Sequence, residues 1–189
     1  MSEQTELLIQ QISDQLDPLG YARLADEYES VMTVLGVAAV VVRPATVSHL
    51  TIWNGENIGG KSLVIDRLFS FNLVSTAAPG FYTMWYCSHL VMTKATNDTT
   101  LIRGTGDGRE PDNSMVIAEA DAAVLDDGWF PCGGNGKVCA AGVIPSGGTE
   151  WECNGRIIVR PKAGLSLAVS SSAIGETFQV GASWWRTQV

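Results

Sequence analysis

Residues 53–66 read WNGENIGGKSLVID, in which Gly55, four further residues, Gly60, Lys61 and Ser62 spell the phosphate-binding signature of nucleoside triphosphatases. In that signature glycines let backbone amides close on the phosphates, the lysine reaches the terminal phosphates and the hydroxyl holds magnesium. The chemistry needs a setting: a buried parallel strand before the loop, a helix directly after it, and a second strand ending in an aspartate for the metal. After Lys61, however, Leu63, Ile65, Arg67, Phe69, Phe71 and Leu73 alternate with other residues, and Pro79-Gly80 follows. Alternation of this kind predicts a strand where a phosphate site needs a helix. The one candidate for the aspartate strand, residues 122–127, runs into GWFPCGG. Asn54-Gly55 and Gly59-Gly60 both accept positive φ, so the segment reads instead as a strand-to-strand connection with Lys61 at a solvated loop end.

Other reactive side chains give weaker patterns. His49 and His89 lie in apolar, strand-like surroundings and are expected at sheet edges rather than as ligands. No nucleophile, base and orienting acid share an informative spacing. Cys132 and Cys139 are too far apart for a C-x₂₋₄-C knuckle, and Cys87, Cys132, Cys139 and Cys153 are expected as free thiols. Glu110, Asp112, Glu119, Asp121, Asp126 and Asp127 contain enough carboxylates for a glycosidase pair, but a solvated acidic surface explains them as well. Trp129, Trp184 and Trp185 allow a sugar-stacking platform; an inward-facing Trp184 and an interfacial Trp185 are the other reading. No cofactor and no metal are expected.

The elements that must carry these residues are short. A chain of 189 residues can bury roughly 70% of its unfolded surface in one core. Its 46% apolar content and 20 glycines suit a compact protein with many tight turns. Apolar runs of five to eight residues, broken by Gly, Asn, Asp and Pro, follow one another from residue 36 onward, which predicts an antiparallel sandwich. Leu165, Leu167 and Val169 share one face, as do Phe178, Val180, Ala182 and Trp184. Residues 97–114 read as a long surface loop. Residues 1–35 form an arm in which Leu7, Leu8, Ile12 and Leu16 fall on one side of a helix over residues 4–16. So short a helix is marginal alone and needs a partner surface. A net charge of −8 with scattered lysines and arginines leaves no footprint for nucleic acid. The run 31–42 falls short of a membrane span and no export signal precedes it, so a soluble protein made in the cytoplasm is expected.

The stretches DDGWFPCGG, NGRIIVRPKAGLSLAVSSS and ETFQVGASWW, with LTIWNGENIGGKSLVIDRLFSF before them, resemble small β-sandwich proteins of tailed bacteriophages, in particular the capsid decoration or cement proteins. In that group a strand ending in Trp-Asn leads through a Gly-rich turn into a Gly-Lys strand. A segment like Ile-Ile-Val-Arg-Pro-x-x-Gly-Leu-Ser-Leu then precedes a last aromatic strand. The likeness spans residues 50–185 and leaves the arm out; the two cysteines of the loop from Cys132 to Cys139 are not a feature of the group. It implies a mainly β, jelly-roll-like sandwich over residues 36–189 that is not an enzyme. Such a protein binds the outside of a shell of phage major capsid protein as a homo-oligomer, most often a trimer, and so sits on the virion exterior. Leu7, Leu8, Ile12, Leu16 and Trp185 are then the candidate contacts with the capsid or a sister subunit. A virion receptor- or glycan-binding module of the same fold, and a nucleotide-binding enzyme using Gly60, Lys61 and Ser62, are the alternatives.

Overall fold

The structure, a computed structural model, describes Thr5 and residues 28–34, 37–74, 80–92, 101–106, 108, 116–120, 128–138, 147–172 and 175–188. These residues contain β1 (Tyr28–Met32), β2 (Val37–Ala38), β3 (Leu50–Asn54), β4 (Ser62–Val74), β5 (Gly80–His89), β6 (Ile102–Thr105), β7 (Val116–Ala120), β8 (Phe130–Val138), β9 (Gly148–Val159), β10 (Gly164–Ser171) and β11 (Thr177–Thr187). They build two antiparallel sheets. One has the order β6-β1-β11-β4-β9, with β2 also pairing β11; the other has the order β7-β3-β10-β5-β8. Of the predicted helix over residues 4–16 only Thr5 is among the described residues; Leu7, Leu8, Ile12 and Leu16 lie outside them.

The inner faces meet in one apolar core. Leu50 and Ile52 from β3, Leu165, Leu167 and Val169 from β10, and Tyr82 and Met84 from β5 face Leu63, Ile65 and Leu68 from β4 and Phe178, Val180, Ala182 and Trp184 from β11. The two period-two faces expected for β10 and β11 are therefore the core faces. Burying side chains of this size contributes on the order of 1.5–3 kcal/mol each.

The alternation expected from Leu63 to Leu73 does not stay on one face. The pairing of β4 shifts register at Asp66, where both neighbours slip: Ile65 pairs Ile157 and Trp184, whereas Arg67 pairs Glu152 and Ser183. Leu63 and Ile65 point inward before this bulge, and Leu68, Ser70 and Asn72 after it, which turns Phe69 and Phe71 to the outer face. An extra residue reverses the side-chain phase of everything beyond it. On the β9 side the slip is absorbed by residues 153–156, with Asn154 and Gly155 at φ 48° and 73°.

Three further expectations change. Tyr28–Met32, inside the stretch assigned to the arm, is a strand held between β6 and β11, so part of that stretch belongs to the sheets. Ile102–Thr105, inside the expected long loop, pairs with β1 as an edge strand. Phe130–Val138, whose glycines suggest a loop between the cysteines, pairs with β5. In the last two cases pairing with a committed neighbour overrides weak local propensity.

The edge strands β8 and β9 of opposite sheets lie alongside each other. Cys132 and Cys153 are buried at this seam with free thiols, and Cys87 is buried elsewhere, on β5. Burial, then the neighbouring Cys153, pushes the Cys132 thiol up to about 12; burial raises Cys153 to about 11. An unfolded thiol ionises near roughly 8.5. The folded state thus keeps protons that the unfolded chain loses, and stability present below that value falls as pH rises toward the folded values. Unfolding free energy should drop by about 1 kcal/mol per pH unit per thiol between roughly pH 8.5 and 10, before ordinary tyrosines ionise. Denaturant titrations across that window should show the slope, and Cys132→Ala should reduce it; a flat profile would contradict the burial.

Candidate functional site

The β3–β4 loop, residues 55–61, is fastened by its own chain. Asn54 Nδ2 donates to the carbonyls of Lys61 (2.9 Å) and Val159 (3.0 Å), and its Oδ1 accepts from the Glu56 amide at 3.1 Å. The Gly60 amide donates to Asn57 O at 2.7 Å. Lys162 Nζ donates to Gly55 O (2.8 Å) and stands 5.4 Å from the centre of the Trp53 ring, and Gln188 Nε2 donates to Gly59 O (3.1 Å). Two amides that a phosphate would need, those of Glu56 and Gly60, are already spent inside the loop. Past Lys61 the chain continues as β4, an extended strand, in the place of the phosphate-facing helix.

The glycines have a different use. Gly59 turns at φ 89°. A Cβ on Gly60 would stand 2.7 Å from the Glu56 carboxylate and 2.9 Å from Asn57 O. That space lets Glu56 meet Arg186, whose Nη2 donates to Glu56 Oε1 at 2.9 Å while its Nη1 donates to Glu29 Oε1 at 3.2 Å. Trp184 Nε1 donates to the other Glu29 oxygen at 3.1 Å. Burial works against the guanidinium charge, but Glu29 and Glu56 outweigh it and hold Arg186 above its ordinary value. One arginine at the end of β11 thereby ties β1 to the glycine-rich loop. Beside them a shallow cleft of about 420 Å³ lies between the loop, Arg160, Pro161 and Gln188.

The histidines are not at sheet edges. Both are buried, in the sheet where β3, β10 and β5 are inner strands. His49 Nδ1 accepts from the Val169 amide at 3.0 Å, replacing a ladder partner just before β3, which fixes that nitrogen as an acceptor. His89 Nε2 lies 2.8 Å from Ser166 Oγ, which is 2.7 Å from Thr51 Oγ1, itself 2.6 Å from Ser48 Oγ. Ser166 and His89 have the separation of a nucleophile and its base. With Ser166 0% exposed, the chain of hydroxyls joins β3, β10 and β5 beneath the surface and is out of a substrate's reach. Sequence spacing could not find it, because 77 residues separate His89 from Ser166 and 115 separate Thr51 from Ser166.

The three indoles do not form a platform. Trp184 is in the core, and Trp129 is 4% exposed, donates to Ala45 O at 2.9 Å and packs with Trp85, Cys87 and Ala168 on the outer side of the other sheet. Trp185 is half-buried on the outer face of the β11 sheet, its ring 4.5 Å from that of Tyr28. Tyr28 in turn donates to Asp66 at 3.1 Å. On the same face Phe69 lies opposite Gly181 and Phe71 opposite Gly148, and each ring fills the space a methyl on that glycine would need. Phe71, Val74 and Ile158 are exposed there. The described residues thus present an aromatic outer sheet face and a loop-bearing end with a cleft. No three His, Cys, Asp or Glu side chains among them are grouped to hold a metal. No protein-family model matches the chain, and no curated protein matches it in sequence.

Proposed function

We propose that this chain is a non-enzymatic virion structural protein: a jelly roll that binds the outer surface of a tailed-phage capsid as a homotrimer and bridges neighbouring major capsid subunits. The observation that carries the reading is the strand order. Taking β1, β3, β4, β5, β8, β9, β10 and β11 in sequence, first pairs with last, second with seventh, third with sixth and fourth with fifth. The pairings β11–β4 and β10–β5 then join these ribbons into two four-stranded sheets, leaving β2, β6 and β7 as additions. This pairing order supports the jelly-roll reading, a long antiparallel ribbon wound on itself, an architecture used by viral capsid and lectin domains. The burial of Trp129 and Trp184 favours the structural member of that pair over the sugar-binding one. The exposed aromatic face around Trp185 supplies apolar area for docking, and trimeric attachment multiplies weak single contacts.

The test is addition of the purified chain to phage shells that lack it. Saturable binding at a fixed ratio to the shell protein, with greater resistance of the shell to heat, is the expected result. Shells that bind none, or bind without saturation, would remove the capsid reading.

A further inference from the structure

We infer that the end of the sandwich formed by the β3–β4 loop, the β9–β10 turn and residues 90–92 is the docking surface for residues 1–27 of a second copy of this chain. The three segments are one unit: the Met92 amide donates to Lys162 O (2.9 Å) and the Lys162 amide to Asn54 O (2.8 Å). This end presents Ile58, Leu90 and Val91 at 91%, 91% and 84% exposure, an unusual set of large apolar side chains to leave in water. Among its described residues Lys61, Arg160, Lys162 and Arg186 outnumber Glu29 and Glu56, both of which Arg186 holds.

The occupant follows from charge and from where the chain leaves the fold. Residues 1–27 combine the apolar stripe of Leu7, Leu8, Ile12 and Leu16 with Glu3, Glu6, Asp14, Asp17, Asp26 and Glu27, against Arg23 as the one basic residue. An acidic apolar segment and a basic apolar surface belong to the same 189-residue chain. The segment ends at Tyr28, which pairs Trp185, one residue from Arg186, so it departs beside this end of the sandwich. Eleven residues between Leu16 and Tyr28 span roughly 35 Å when extended, enough to reach a neighbour. Each copy gives one segment and receives one, a head-to-tail exchange that closes into a ring. The inference rests on the homo-oligomer part of the proposed function and is tested without any shell.

The experiment measures the mass of the full-length chain by light scattering over micromolar concentrations. Two variants are compared: Glu6→Lys with Asp14→Lys in the segment, and Lys61→Glu with Arg160→Glu on the docking surface. The full chain should be an oligomer, and each variant alone a monomer with an unchanged melting temperature. An equimolar mixture of the two should form complexes containing both, because the reversed segment of one meets the reversed surface of the other and their native surfaces also match; alternation satisfies every contact of an even ring and two of the three in a trimer. Should the second variant not fold, Ile58→Asp takes its place, with loss of the oligomer expected. A full chain that is monomeric throughout, variants that remain oligomeric, or a mixture that stays monomeric would each overturn the inference. A monomeric chain that still saturates shells would overturn it while leaving the capsid reading in place. An oligomer that ignores shells would do the reverse.

Discussion

Replacing Arg186 with leucine lowers the unfolding free energy by about 3 kcal/mol. For a domain of this size that is a fall of roughly 6–12 °C in melting temperature. The cost arises less from the two ion pairs themselves than from what they leave behind. Glu29 is buried, and without Arg186 its carboxylate loses the guanidinium that faces it while still accepting from the Trp184 indole. An uncompensated buried charge costs several times what an exposed pair contributes. Glu56 loses its anchor at the same time, which loosens the glycine-rich loop around Gly60. A control separates these causes. Glu29→Gln keeps an acceptor for the indole but removes the charge, so Arg186→Leu with Glu29→Gln should recover more than half of the loss in denaturant titrations. If the double variant is no more stable than Arg186→Leu alone, the buried carboxylate is not the source. The exposed Arg67–Glu150 pair, at 2.7 Å, should contribute under about 1 kcal/mol when broken, despite its shorter distance.

How much of this was legible in the sequence depends on what each residue's environment had to say locally. β10 and β11 were readable because one face of each is fully buried, so apolar residues recur at every second position from Leu165 to Val169 and from Phe178 to Trp184. The strand after Lys61 was readable for the same reason, and it decided against the phosphate-site reading of Gly60-Lys61-Ser62. The bulge at Asp66 was not, because one extra polar residue leaves no mark on composition while reversing Phe69 and Phe71 from core to surface. Asn154-Gly155 carries the usual signature of a hairpin turn; it is an excursion within β9, because both flanks return to the same partner strand.

The site residues divide in the same way. Trp185 was placed on the outer face by parity with Trp184, a local rule. The pairing of Glu29 with Arg186, across 157 residues, depends on β1 lying beside β11, and no local spacing encodes that. The hydroxyl chain from Ser48 to His89 is equally non-local, since it requires β3, β10 and β5 to be neighbours in that order. Periodicity reports which face a side chain takes; only topology reports whom it meets.

Trp184→Ala should be the most damaging single substitution among the described residues, at roughly 3–5 kcal/mol. That is a drop of roughly 6–20 °C. Two losses coincide in it. Trp184 is one of the largest fully buried side chains, and its removal opens a cavity between β11 and the opposite sheet that surrounding side chains fill only in part. The indole N–H also leaves Glu29, which then loses one of the two donors that β11 supplies to it. Trp184→Phe keeps most of the volume and removes the donor, so the difference between the two variants measures cavity against hydrogen bond, with the phenylalanine expected to cost about 1–2 kcal/mol. Because Trp184 and Arg186 serve the same carboxylate, their effects should not add. Once one donor is gone, removing the other exposes a Glu29 that is already strained, and the cycle formed by Trp184→Phe, Arg186→Leu and the double variant should show a coupling above about 0.5 kcal/mol. Strict additivity would mean that the indole and the guanidinium act on Glu29 independently, and the picture of one carboxylate joining β1, β11 and the glycine-rich loop would have to be abandoned.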